Sequence, residues 1–327
     1  VAAASAESFD AYYRQVIRPA LKKLERRRKH ILLKILAVMM VVCVLIAGVA
    51  AFLVIQGIHP AFAAIGLIPG LVVFAVAYGH LTHRYKAHFK EHVIGSVVRF
   101  FDPSLNYDPG GRVSESKFRQ SGLFQASPDR YGGEDRVSGQ VGKTHIEVSE
   151  VHAEYESQTT DADGNTQTSW HTIFKGLFFV GDFNKHIKGT TVVLPDVAER
   201  LLGRFGKMLQ NVGKLAWHPE LITLEDPEFE KYFVVYGDDQ NEARYILTPN
   251  LMERIVSFRK LTGHGLHLSF RGQSVYVAIT SGHDMFEPRV FRTVWSKKLI
   301  KTYVADMAMA IGVVEELNLN RRVWTKR

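Results

Sequence analysis

Two long apolar stretches without a single charged residue dominate the first quarter of the chain. Residues 35–55 form an uncharged run of 21 without proline, and residues 61–79 an uncharged run of 19. A hydrocarbon core of about 30 Å needs about 20 helical residues, so each run is long enough to span it. Helices in the core of a soluble protein keep a polar stripe, and these two show none. The pattern predicts a helical hairpin over residues 35–83, spanning at 35–55 and 61–79. Ahead of it, Phe9, Tyr12, Tyr13, Val16, Ile17, Ala20, Leu21 and Leu24 recur at helical spacing opposite Arg14, Arg18, Lys22 and Lys23. Such a helix suits the headgroups of an anionic leaflet near residues 14–34, and equally docking on the rest of the chain. Gly66 and Gly70 lie four apart, a spacing for close helix contact. Packing within the hairpin is the preferred use of that face, and homo-oligomerisation the lesser one.

Past the apolar runs, Phe89, Val93, Val97 and Phe100 continue a juxtamembrane helix over residues 84–101 until Asp102 and Pro103 stop it. A short helix near residues 114–121 and a loop over 125–134 follow. The period then changes to two. Residues 136–155 and 166–183 read as a long antiparallel hairpin around Asp161-Ala162-Asp163-Gly164-Asn165. Residues 191–194, 232–236 and 243–247 read as strands, and 266–270 with 274–280 as a last hairpin. Pro195 opens one helix. Thr248 caps another, with Pro249 at its first position and Leu251, Ile255 and Phe258 on the buried face. A long helix over 290–317 closes the chain. Strand, Gly-Asp turn, strand, proline and Glu-Arg helix recur at 179–202 and 235–256, which raises the possibility of two related ββα halves. The fold class expected is α+β: a transmembrane hairpin, then a domain over residues 102–327 of antiparallel strands packed by helices.

Charge sharpens this picture. The 327 residues carry 41 Lys+Arg against 33 Asp+Glu, a formal net charge of +8. Residues 1–34 hold nine bases against three acids, residues 80–92 three against one, and the remainder is neutral. Nucleic-acid binding is excluded as an expectation, because a neutral domain offers phosphate no electrostatic footprint. Basic flanks stay on the cytoplasmic side, so a two-span chain would keep both termini in the cytoplasm. The sole cysteine, Cys43, lies in the first apolar run, which leaves no disulfide and no thiol nucleophile for the larger domain. The sequence begins at Val1 without methionine, which leaves the natural start open.

Candidate chemistry is sparse. His88-Phe89-Lys90-Glu91-His92 fits the H-x-x-E-H pattern of a zinc peptidase class, in which two histidines four apart on a helix share a metal and the glutamate acts as base. Glu150, His152 and Glu154 alternate onto one strand face, with His171 across the hairpin. That set suits a metal, although a solvated face is the commoner use of such alternation. Asp161-x-Asp163-Gly164-Asn165 has its glycine in the wrong place for a calcium loop, so a hairpin turn is preferred. No phosphate-binding loop and no Gly-x-Ser-x-Gly elbow occurs.

Three stretches carry a resemblance: Thr172-Ile173-Phe174-Lys175-Gly176-Leu177-Phe178-Phe179 through Asp182-Phe183-Asn184-Lys185, then residues 226–239, then Glu242-Ala243-Arg244-Tyr245-Ile246-Leu247-Thr248-Pro249. With a hairpin ahead and Glu315-Glu316-Leu317-Asn318-Leu319-Asn320 near the end, the chain resembles the bacterial membrane family known as domain of unknown function 3137. The resemblance implies a bacterial inner-membrane protein whose relatives are often encoded beside LemA-family membrane proteins. It supplies no catalytic residues and no cofactor. The expectation is a non-enzymatic binding or scaffolding module at the inner face of the membrane, its partner a protein such as a LemA-family member. Lys175, Asp182, Asn184, Asp238 and Asp239 are the candidate interaction surface. The competing reading is a membrane-anchored metallohydrolase using His88, Glu91 and His92.

Overall fold

A computed structural model of the chain describes residues 6–57, 67–160, 164–196, 220–282, 284–288, 290–317 and 319. They divide into two compact units. The first comprises residues 98–285 with the chain from Tyr303 onward, the second residues 4–97 with 286–302.

The second unit is helical. Helix α1 (Ala6–Tyr12), a π turn (Tyr13–Ile17) and helix α2 (Arg18–Ile55) run on as one rod. The expected amphipathic stripe is its buried side, since Phe9, Tyr13, Ile17, Leu21 and Leu24 are buried and Tyr12 Oη donates to the Ser96 carbonyl. Docking on protein therefore claims the apolar stripe, and Arg14, Arg18, Lys22 and Lys23 stay exposed. From Leu33 onward the exposure inverts, and Leu36, Met40, Val44, Leu45 and Phe52 face outward.

The expected two-span hairpin is not borne out among the described residues. Among the described residues one helix, Phe9–Ile55, is long and apolar enough to cross a membrane. Helix α3 (Leu67–Phe89) keeps only 13 uncharged apolar-run residues, 67–79, before His80, His83 and Arg84 enter. Thirteen helical residues reach about 20 Å, short of the hydrocarbon core. Residues 61–66 of the expected second run lie outside the described residues. Multi-pass topology, and with it the placement of both termini in the cytoplasm of a bacterial inner membrane, is corrected accordingly: one candidate spanning helix is found among the described residues. Helix α3 instead lies along α2, where a Cβ on Gly70 would sit 3.0 Å from Val42 Cγ1 and 3.2 Å from Ile46 Cδ1. A π turn (Lys90–Ile94) and helix α4 (Gly95–Phe101) continue it, as the apolar spacing predicts.

The first unit is built on an antiparallel sheet in the order β1-β2-β3-β4-β6-β5, with β7 on the free edge of β4. Its strands are β1 (Asn106–Asp108), β2 (Arg130–Val141), β3 (Thr144–Thr160), β4 (Thr166–Pro195), β5 (Glu220–Ile222), β6 (Phe233–Gly237) and β7 (Leu266–Thr280). Three expectations change here. The region 136–155 is two strands, turned at Gly142 with φ 61°. The expected strands 166–183 and 191–194 are one strand, β4, interrupted by an irregularity after Asp182. The expected hairpin at Arg271-Gly272-Gln273 is also continuous: β7 follows β4 from Thr280 against Gly176 to Leu268 against Val193. Turn-forming residues at 271–273 serve the matching kink, where Gly272 takes φ 62°.

The kink in β4 is held from outside. Asp238 Oδ2 accepts from the Thr190 N–H at 2.6 Å, and Glu242 accepts from Lys188 and Gly189 at 2.8 and 2.9 Å. Residues 243–247 are accordingly no strand. Asp239 caps helix α7 (Gln240–Ile246), and Thr248 caps helix α8 (Pro249–Thr262), as Pro249 and the buried Leu251, Ile255 and Phe258 anticipate. The helix opened by Pro195 lies outside the described residues, and so does the comparison of two ββα halves. The core on one sheet face gathers Val113, Phe118, Val151, Phe174, Phe178 and Tyr276 under the short helix α5 (Glu115–Gln120). Helix α6 (Pro227–Glu230) precedes β6, and α9 (Lys297–Glu316) is shorter than the 290–317 expected.

Candidate metal centre

Glu134 on β2 and Glu150 on β3 are direct cross-strand partners. In a regular strand the next residue, Asp135, would point to the opposite face. Here the register slips between Glu134 and Val137, and Asp135 takes φ 61°, the one positive φ among described non-glycine residues. A bulge with a left-handed residue re-aims a side chain, and the result is three carboxylates whose oxygens lie within 4.8 Å of one another. Asp135 is 2% exposed and Glu150 6%, while Glu134 is half-buried.

The surroundings fix these groups. Tyr107 Oη donates to Asp135 Oδ1, and the Asp135 N–H donates to the Pro109 carbonyl at 3.1 Å. The Met285 N–H donates to both Glu150 oxygens at 3.3 Å. Gly133 must be glycine, because a Cβ there would fall 2.3 Å from the Glu150 carbonyl oxygen. Burial, and then the charge of Asp135, push the Glu150 carboxyl up to about 7 against the pull of the Met285 N–H, with Asp284 and Glu134 adding to the rise. Lys175 forms an ion pair with Asp284 at 2.8 Å and lies within electrostatic range of Glu150.

Three carboxylates this close, two of them buried, repel one another, and a proton on Glu150 or a bound cation relieves that repulsion. An all-oxygen donor set suits hard ions such as Mg²⁺, Mn²⁺ or Ca²⁺ and lacks the imidazole or thiolate that favours zinc. Held by these carboxylates, such an ion would polarise a bound oxygen and lower the pKa of bound water. The expectation of a chain without enzymatic chemistry is corrected on this ground: Glu134, Asp135 and Glu150 form a candidate metal centre.

Sequence reasoning singled out Glu150 but set it with the wrong partners. His152 turns to Thr172 Oγ1 at 3.4 Å and Glu154 at 3.6 Å, and His171 stacks on Tyr155 with its Nε2 2.8 Å from Ser157 Oγ. Glu134 and Asp135 were missed. Their sole signal is two adjacent acids after Gly132-Gly133, and adjacency in a strand normally means opposite faces.

His88 and His92 stack at 6.0 Å on the exposed side of their helix. Each Nδ1 meets a carbonyl, of Arg84 at 2.7 Å and of His88 at 3.1 Å, so each carries its proton there. Glu91 Oε2 is 3.9 Å from His92 Nδ1, and the three do not gather with the closeness of the carboxylate trio. Of the candidate interaction surface, Lys175 pairs with Asp284, while Asp238 and Asp239 hold backbone N–H groups at the β4 kink and the α7 cap. Asp182 lies at the start of the kink, against Ser274, and Asn184 within it. The structure spreads these five along β4 and around the start of α7.

Residues 172–319 match a family model described as a protein of unknown function (DUF3137). No curated protein matches the chain. Among solved structures, the crystal structure of the mycobacterial trehalose monomycolate transport factor A, TtfA, is similar over 70% of this chain and 96% of its own, at 8% identity and a TM-score of 0.33. Neither description names a LemA-family protein, and the LemA association and the scaffold role expected from the resemblance find no support in them.

Proposed function

We propose that this chain is a membrane-tethered protein that works through a hard divalent cation held by Glu134, Asp135 and Glu150. The observation that carries the reading is the convergence of three carboxylates, two of them buried, at a bulge where regular strand geometry would separate them. The tether is the Phe9–Ile55 helix, whose apolar window has no buried residue inside the protein. The activity such a centre would support is metal-assisted hydrolysis: an ion held by Glu134, Asp135 and Glu150 would supply a Lewis acid for bound water or for the substrate's oxygen. This keeps the metallohydrolase class and moves its site from the juxtamembrane histidines to the sheet.

The test is calorimetric titration of the purified full chain in detergent with Mn²⁺, Mg²⁺, Ca²⁺ and Zn²⁺. One hard ion per chain is expected, its affinity falling at least about tenfold in Asp135→Asn and unchanged in His88→Ala. A chain that binds no hard ion saturably, or whose binding is lost with His88, defeats the reading.

A further inference from the structure

Most exposed large apolar side chains of the second unit belong to α2 and α3, where a bilayer accounts for those of α2. Phe291 and Trp295 do not: they stand in the segment 286–296, 66% and 39% exposed. That segment is pinned at several points. Glu287 pairs with Lys86 at 2.8 Å and with the buried Lys90 at 3.1 Å. The Val290 carbonyl accepts from Arg28 Nη1 at 3.0 Å, and the Val294 N–H donates to Glu25 Oε2 at 3.3 Å, while Glu25 and Arg28 bridge each other. Phe291 is thus presented by a fixed loop, and its inner face is covered by Tyr78 of α3, stacked at 5.9 Å and 6°.

The same contacts set its level along α2. The Glu287 pairs bring the C-terminal end of α3 to the segment that also binds Arg28, so α3 runs opposite to α2. Gly70 lies against Val42 and Ile46, and Tyr78 is eight residues further on, about 12 Å along the axis. Tyr78 and Phe291 are therefore level with residues 35–36 of α2, where the charged part of the helix gives way to the uncharged run. Arg26, Arg27, Lys29 and Lys34 are exposed on α2 just before that level, and Arg292 is exposed beside Phe291. Aromatic rings with adjacent cations are the residue set that sits at the boundary between headgroups and acyl chains.

We propose that the 286–296 segment is an interfacial anchor: Phe291, backed by Tyr78 and flanked by Arg292, enters the headgroup–acyl boundary of an anionic bilayer where the apolar run of α2 begins. The proposal rests on the tether reading above and adds a second contact, which fixes the rotation of the helical unit against the membrane surface.

The experiment places a single environment-sensitive label at Phe291→Cys, Leu45→Cys or Leu261→Cys in a Cys43→Ser background. Each full chain is reconstituted in phosphatidylcholine–phosphatidylglycerol vesicles carrying nitroxides at shallow or deep acyl positions. These positions are exposed, which keeps the labels out of the core. The 291 label is expected to emit blue-shifted and to be quenched more by shallow than by deep nitroxides, the 45 label more by deep ones, and the 261 label by neither. A 291 label quenched no more than the 261 label, with 45 still deep, overturns the anchor alone. Loss of quenching at 45 overturns the tether reading itself and the anchor with it. A 291 label shielded without nitroxide sensitivity, its shielding falling on dilution, assigns this face to a second copy and overturns the proposal.

Discussion

Glu134 and Glu150 face each other across the β2–β3 ladder as a like-charged cross-strand pair. Opposed like charges destabilise a sheet, and Asp135 adds a third acid to the same side. The raised Glu150 carboxyl, at about 7, eases this repulsion by holding a proton in about half of the molecules at neutrality.

Glu150→Gln is expected to change the pH dependence of stability. The folded carboxyl titrates at about 7 and the unfolded one near the ordinary 4.5, so between these values the native state holds the extra proton. Stability from this group is present below pH 4.5 and lost as pH rises to 7. In metal-free buffer the wild-type chain should lose a few kcal/mol across that window, and Glu150→Gln should lose much less. Urea unfolding at several pH values checks this.

Asp135 holds a left-handed backbone that asparagine tolerates and alanine resists. Asp135→Asn and Asp135→Ala should both weaken hard-cation binding at least about tenfold, yet the alanine variant should be less stable than the asparagine one by about 1 kcal/mol. Equal stabilities, measured by denaturation without metal, would show that the bulge is not held in this conformation.

Gly176 sits on β4 opposite Thr280 of β7. A Cβ there would lie 2.1 Å from the Ile279 carbonyl oxygen and 2.8 Å from the Ser281 nitrogen, at φ 151°. Both neighbours are backbone, so neither can rotate away. Gly176→Ala should cost more than about 3 kcal/mol, read as a lower unfolding midpoint, whereas Gly282→Ala, in open space, should leave the midpoint nearly unchanged.

His267 lies on β7 beside Phe124, its Nδ1 buried without a hydrogen-bond partner among the described residues, and burial lowers its pKa to about 4. The unfolded imidazole titrates near 6.5, so the unfolded state binds more protons between the two values. Stability is full above 6.5 and falls as pH drops towards 4. His267→Gln should flatten this acid limb, and thermal unfolding from pH 7 to pH 4 measures it.

Much of the framework was legible from local pattern. The Thr248 cap, Pro249 and the Leu251, Ile255 and Phe258 stripe specify α8, and the Phe89, Val93, Val97 and Phe100 spacing specifies the helical path out of α3. Local pattern misled where one residue type serves two roles. Gly272 was read as a hairpin turn, but its positive φ accommodates a kink in a continuous strand, because β4 bends at the matching place. Ala243 to Leu247 alternates well enough for a strand, yet Asp239 captures the Asn241 and Glu242 N–H groups and commits the segment to a helix.

The apolar run of α2, its basic flank and the neutrality of the larger domain follow from composition along the chain, because hydrophobic length and charge are local and additive. The metal centre is different in kind. Glu134, Asp135 and Glu150 meet because one register slip and one left-handed residue bring adjacent acids onto a single face opposite a third. Strand register is settled by packing along the whole β2–β3–β4 ladder, a long-range property that no window of residues around Glu134 contains.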